Sequence, residues 1–322
     1  MEREIPITEV GKIRIGQAEN ASAGTGCTVL ISEEGMCAGL DIRGGGPASR
    51  DSGLLDPLTA ANVVHAVVLG GGSAFGLGAA NGVMAYLEEK DIGFDVGVTK
   101  VPLVVQSDIF DLTVGDMTVR PDPAMGYEAA KAAMESPNYK DGNFGAGCGA
   151  TVGKLCGMET CMKSGIGSYC MEIGELRIGA LVAVNSLGDI FDHKTGKKIA
   201  GLLTEDRKGF RDSLSIMKES IKVHENRFVD NTTIGAVITN AAFNKSQLCK
   251  IAGMAHNGFA RSIRPVHTSA DGDSIYALSV GEVSADQDLV GTLAAEVMSE
   301  AITRAIENAE SAYGFISASD LK

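Results

Sequence analysis

Apolar stretches of one kind come in neighbouring pairs along this chain, and that limits how it can fold. Cys27–Ser32 and Met36–Ile42 read as two short strands paired around Glu33-Glu34-Gly35, and Ser168–Asn185 as two strands around a Gly174-Glu175 turn. His65–Leu69, Thr232–Thr239 and Ile275–Ser279 read as further strands. Helices are predicted over Ala74–Glu89, Pro123–Met134, Lys245–Arg261 and Asp286–Ala312, the last ended by Gly314. Strict strand–helix alternation is missing, so the reading is an α+β layered sandwich. With no Trp, 5% aromatics and 41 Gly, small and aliphatic residues must fill its core.

Residues Phe191–Asp230 differ in character. Lys194, Lys197, Lys198, Glu205, Asp206, Arg207, Lys208 and Arg211 crowd there, which reads as a mobile linker (191–231) with some helix over Asp206–Lys222. The charged stretch stops abruptly at Asn231-Thr232-Thr233-Ile234, where a β-branched run begins. Cleavage before Thr232 would give it a free α-amine with an ordinary pKa of roughly 7.7–8.0, a base adjacent to a weak hydroxyl nucleophile. Thr232 as a plain strand residue is the competing reading.

Charge and cysteine content exclude several functions. With 28 basic and 41 acidic residues the formal charge is −13, which disfavours nucleic-acid and anionic-membrane partners and does not repel a cationic amine. The N-terminus has no apolar signal core and no segment reaches membrane-span length, so a cytoplasmic location is expected. Seven cysteines without CxxC spacing read as free thiols, and the five His show no ligand spacing with them, so no metal is expected.

Three glycine loops imitate cofactor motifs. Gly70-x-Gly72 would need Gly or Ala where Phe75 stands. Gly145-x-Gly147-x-x-Ala150 lacks a preceding strand, and Gly153-Lys154 carries Cys148 and Leu155 where a phosphate loop needs Gly and Ser/Thr. No cofactor is expected, and the glycines read as places where backbones pass closely. Ser73 reads as a helix N-cap.

Several segments, in order along nearly the whole chain, carry a resemblance. They are Gly11–Asn20, TGCTV at Thr25–Val29, LLDP at Leu54–Pro57, GGSAFGL at Gly71–Leu77, GAGCGATVGK at Gly145–Lys154, VAVNSLGD at Val182–Asp189, NTTIGAV at Asn231–Val237 and IRPVHTSADGD at Ile263–Asp273. In these the chain resembles the P1/S58 peptidase family of D-aminopeptidases, β-peptidyl aminopeptidases and nylon-oligomer hydrolases. The resemblance implies one αββα four-layer sandwich over 1–322, similar to N-terminal-nucleophile hydrolases but with distinct topology. It implies autocleavage at Asn231–Thr232 into a 1–231 α chain and a 232–322 β chain, assembled as a homotetramer or larger. By motif it groups Lys154, Asn185, Asp271 and Asp273 with Thr232. Thr232 would attack a carbonyl, and its α-amine or Lys154 would take the proton. The Asn185 amide would donate to the oxyanion, and Asp271 and Asp273, two apart, would face one site.

The expected activity is hydrolysis of short peptides, amino-acid amides or amino-acyl oligomers. The rivals are an acyltransferase of the ornithine-acetyltransferase type and an uncleaved, non-catalytic binding protein. Asn185 and the Asp-Gly-Asp run also suit ordinary turns, and His256 and His267 read as structural. Gly78, Asn81 and Cys148 depart from the family pattern.

Overall fold

Successive residues of the buried strands point to opposite faces, and in this protein both faces are covered. The computed structural model describes residues 2–219 and 231–321. Ten strands carry the architecture: β1 (Glu2–Glu4), β2 (Arg14–Asn20), β3 (Thr25–Ile42), β4 (Ala48–Arg50), β5 (Val64–Gly70), β6 (Val104–Asp108), β7 (Ile166–Ile173), β8 (Leu176–Ala183), β9 (Ile234–Ala241) and β10 (Ser274–Val283). The helices are α1 (Ala79–Glu89), α2 (Pro123–Glu135), α3 (Ser213–Glu219), α4 (Lys245–Ser262) and α5 (Gln287–Glu307). One sheet runs β1-β7-β8-β9-β10-β3 and the other β2-β3-β5-β6-β4, with β3 shared.

The layers follow from the alternation. On β8, Ala180 and Val182 pack with helices α4 and α5, while Leu181 and Ala183 face the other sheet. On β10, Ile275 and Ala277 face the helices, and Tyr276 and Leu278 face inward. Across the gap, Val67 and Leu69 of β5 complete the inter-sheet core, while Ala66 and Val68 pack against α1 and α2. The order is α4/α5, sheet, sheet, α1/α2, the αββα sandwich. Among the described residues no helix is long and apolar enough to cross a membrane.

Helix starts are set by side-chain caps. Asp122 accepts from Met125 N with Pro123 in the first turn, Asn244 forms a reciprocal cap with Gln247, and Asp286 accepts from Leu289 N. Ser73 does not cap a helix by its side chain. It opens a 3-10 stretch, Ser73–Gly78, that precedes α1.

The expected hairpin around Glu33-Glu34-Gly35 is corrected. Residues 25–42 form one long strand, with a register break between Ile31 and Met36. Its two halves do not pair with each other. The first half lies between β2 and β5, and the second lies along β10. Separate partners straighten what local turn chemistry would have reversed. The segment read as a linker has a strand at Lys198–Ala200 and a helix at Ser213–Glu219. Of the helix expected over Asp206–Lys222, residues 206–212 are turn and irregular chain instead, and residues 220–222 lie outside the described residues.

Glycines let the layers approach. A Cβ on Gly82 of α1 would lie 1.7 Å from Pro123 O, and one on Gly126 of α2 would lie 2.0 Å from Ala79 O. At an exposed helical site Gly→Ala gains up to about 1 kcal/mol. Here the sign should reverse. Gly82→Ala is expected to destabilise by about 1–3 kcal/mol through overpacking, read as a lower urea midpoint with an unchanged slope.

Candidate active site

The sequence-derived residues lie on four segments that the strand pairing brings together. β9 runs parallel to β10, with Ile234 beside Ser274. Just before these strands, Asn231 bridges to Asp271 in the same parallel sense. Gly272 N donates to Asn231 O at 3.1 Å, and Ser274 N to Thr233 O at 3.1 Å. The Thr232 hydroxyl lies against the Asn231 carbonyl oxygen, the carbonyl of its own preceding peptide.

Asn185 follows β8 and is wholly buried. Its carbonyl accepts from Thr232 N at 2.8 Å. Its side-chain Oδ1 accepts from Lys154 Nζ at 2.7 Å and from Thr151 N at 3.1 Å. Its Nδ2 donates to Phe110 O at 3.0 Å. One of the two amide hydrogens is thereby engaged with Phe110, and the backbone N–H of Gly272 donates to the Asn231 carbonyl. Lys154 is brought in by its own backbone: Gly153 N and Lys154 N donate to Gly188 O and Leu187 O. Gly153 has a φ of +75°, which favours glycine, and a Cβ there would lie 2.1 Å from the Gly201 carbonyl carbon.

The two carboxylates share the site with different partners. Asp273 accepts from Thr233 N at 2.9 Å through one oxygen, and through the other from His267 N at 3.0 Å and His267 Nδ1 at 2.8 Å. His267 therefore orients Asp273. Asp271 accepts from Thr268 N at 3.0 Å and Thr268 Oγ1 at 2.5 Å. Burial, then the negative charge of Asp273, pushes the Asp271 pKa up to about 6 against the pull of the Thr268 hydrogen bonds. His256 stacks edge-on with His267 at 4.7 Å, and burial lowers its pKa to about 4.

Sequence reasoning missed the wall of this site. A Cβ on Gly272 would lie 2.6 Å from Thr232 Oγ and 2.8 Å from Gly46 O. Gly44 and Gly45 pack as tightly on residues 269–273, and Gly46 N donates to Asp271 O at 2.8 Å. The available signal was the run Gly44-Gly45-Gly46 in an otherwise unassigned loop.

The sequence profile of Peptidase family S58 matches residues 6–318. The chain belongs to peptidase family S58. An uncharacterized aminopeptidase of Mycobacterium leprae (strain TN) is 37% identical over 295 residues, covering 87% of this chain and 79% of its own. A 6-aminohexanoate-oligomer endohydrolase of Kocuria sp. (strain KY2) is 28% identical, covering 91% and 83%. Among solved structures, the L-aminopeptidase D-Ala-esterase/amidase of Ochrobactrum anthropi superposes with a TM-score of 0.70 at 18% identity, covering 97% of this chain and 90% of that one. That structure is described as a new variant among the Ntn hydrolase fold. A Burkholderia sp. beta-aminopeptidase gives 0.65 at 19%, covering 97% and 90%. The αββα layering and these likenesses agree on the fold. As an S58 member the chain is a hydrolase of the aminopeptidase and amide-hydrolase kind.

The raised Asp271 pKa makes a stability prediction. A carboxyl whose folded pKa lies above its ordinary value of 3.8 stabilises the fold when protonated, and that contribution is lost as pH rises through about 6. Asp271→Asn mimics the protonated form and keeps an acceptor for Thr268. Single-chain Asp271→Asn protein should be more stable than its parent at pH 8, by on the order of 2 kcal/mol. The difference should vanish at pH 4, as followed by thermal melts at both pH values.

Proposed function

We propose that this S58 chain is a self-cleaving amide hydrolase in which Thr232 is both the cutter of its own precursor and the later N-terminal nucleophile. The observation that carries the reading is the placement of Thr232 Oγ against the Asn231 carbonyl while Gly272 N–H donates to that same oxygen. Asn185, Lys154, Asp271 and Asp273 complete the set.

In maturation, Thr232 Oγ adds to the Asn231 carbonyl carbon, and its proton is passed to the Thr232 nitrogen that is to leave. The negative charge on the former carbonyl oxygen is met by Gly272 N–H. Loss of one such donor typically costs about 2.7–4 kcal/mol of barrier lowering. The C–N bond then breaks, the nitrogen leaves as the Thr232 amine, and the Asn231 acyl group is left as an ester on Oγ. Water hydrolyses that ester, leaving a carboxylate on Asn231 and a free Thr232.

In turnover the same Oγ attacks a substrate amide, and the new α-amine accepts its proton and passes it to the departing amine. Asn185 O, which holds Thr232 N in the intact chain, then holds that amine. Lys154 keeps Asn185 Oδ1 in place, and Asp273 holds Thr233 N and with it the start of β9. Through its carbonyl Asn185 acts as a positioning residue, in addition to the oxyanion-donor role that the family motif implies for its amide. Water completes the cycle by releasing the acyl group.

The substrate class is short peptides, amino-acid amides or amino-acyl oligomers, with the processed units assembled as a homo-oligomer. Oligomer and peptide hydrolysis in the named relatives supports this class. Water as the final acceptor separates the reading from acyl transfer.

Intact-mass measurement of purified protein should give two fragments, the smaller beginning at Thr232, and Thr232→Ala should give one uncut species without amidase activity. Cleavage that survives in Thr232→Ala would overturn the assignment. Transfer of the acyl group to an added amine in preference to water would replace hydrolysis with acyl transfer.

A further inference from the structure

One buried carboxylate outside this set gathers three of the eight family-like segments around itself. Asp111 is 2% exposed. One of its oxygens accepts from Thr25 Oγ1 at 2.7 Å, the other from Gly72 N at 2.7 Å. A Cβ on Gly71 would lie 1.9 Å from Asp111 Oδ2, and one on Gly149 would lie 2.7 Å from Asp111 Cβ. Thr25 belongs to the TGCTV segment, Gly71 and Gly72 to GGSAFGL, and Gly149 to GAGCGATVGK. Three separate motifs thus close on one side chain. The residue before it, Phe110, supplies the carbonyl that fixes the Asn185 amide. Asn185 in turn holds Lys154 and Thr232.

We propose that Asp111 is a positioning residue for the nucleophile: it pins Phe110 against Asn185 and sets a fixed negative charge in the field of Lys154. The proposal rests on the Thr232 reading above. The charge has a reason to persist. Burial pushes the Asp111 pKa up to about 6, opposed by hydrogen bonds from Thr25 and Gly72 and by the Lys154 charge, so an anion is retained at neutral pH. Lys163, also fully buried, feels the same charge. Its Nζ donates to the carbonyls of Gly147 and Ala150, on the loop that leads to Thr151 and Lys154, and to that of Ser164 beside it. A neutral, well-packed residue at 111 would cost less to bury, so the anion's value lies in what it orients.

Asp111→Asn keeps shape and an acceptor but removes the charge. Thr25→Val removes one donor, and Thr25→Ser restores it. Each is compared with wild type for melting temperature, rate of self-cleavage on gels, and kcat and KM on an amino-acyl p-nitroanilide. Asp111→Asn should stay folded and lose about tenfold or more in self-cleavage rate and in kcat, with KM within about twofold, the pattern of a misaligned reacting group. Thr25→Val should lose about threefold, and Thr25→Ser should recover. If Asp111→Asn does not fold, the Thr25 pair decides. Wild-type rates in folded Asp111→Asn or Thr25→Val overturn the proposal. So does a lower melting temperature with rates unchanged, or equal losses in Thr25→Val and Thr25→Ser. Absence of a fragment beginning at Thr232 in the wild-type chain would instead remove the nucleophile reading itself, before any variant is compared.

Discussion

Parallel strands bring their N-termini to the same edge of a sheet. β9 and β10 do so here, and the residues entering them, Asn231-Thr232-Thr233 and Asp271-Gly272-Asp273, are laid side by side by backbone hydrogen bonds. The contacts of Asn231 with Gly272 and of Thr233 with Asp273 and Ser274 depend on that register. A slip of one residue would turn side chains to the opposite face and move the Asn231 carbonyl away from Gly272 N–H. The register is held by burial on both faces, with Val237 and Ile275 under the helices and Ile234, Ala236, Tyr276 and Leu278 between the sheets. Sheet packing and the chemistry of the junction are therefore one constraint.

The second constraint is closeness. Gly272, Gly44 and Gly153 each stand where an added Cβ would fall within 3 Å of a neighbour in or beside the site. Glycine is conformationally costly to order, and its repeated use is explained by these approaches. The same reasoning resolves the cofactor-like loops. Gly70 and Gly71 pass over the carboxylates of Asp108 and Asp111, so a strand–glycine–helix passage that resembles a phosphate cradle is occupied by the protein's own acids.

Local signals carried much of the fold. Strands β5, β7, β8, β9 and β10 and helices α1, α2, α4 and α5 all had periodicity or caps that could be read from neighbours in sequence. The long β3 was misread because its straightness is imposed by partners far along the chain, while Glu33-Glu34-Gly35 on its own favours a turn. Thr232 was legible through the break in composition before it, and Lys154, Asn185, Asp271 and Asp273 through the motifs around them. Asp111 was not. Its donors lie 86 and 39 residues away, and IFDLT contains nothing that marks its acid as different from a surface one. His267 was legible as a residue but not in its task, because its hold on Asp273 depends on the backbone turn between them.

The site also concentrates charge where a protein interior tolerates it least. Lys154, Asp271, Asp273 and Asp111 are all almost fully buried, and each would be cheaper as an apolar residue. Their arrangement indicates what the expense supports. Asp273 and Asp271 fix the backbone on one side of Thr232 through Thr233, His267 and Thr268, while Lys154 and the Phe110 carbonyl, next to Asp111, hold Asn185 on the other. The Asn231–Thr232 peptide lies between two rigid frames, so the hydroxyl and the carbonyl that it faces are held together before any reaction begins. Alignment of that kind lowers a barrier by restricting motion in advance. On the proposed mechanism it also accounts for the lack of exposure at Thr232, which is 4% accessible in the intact chain: a hydroxyl that is to attack its own peptide bond first needs contact with that bond before it needs access to solvent.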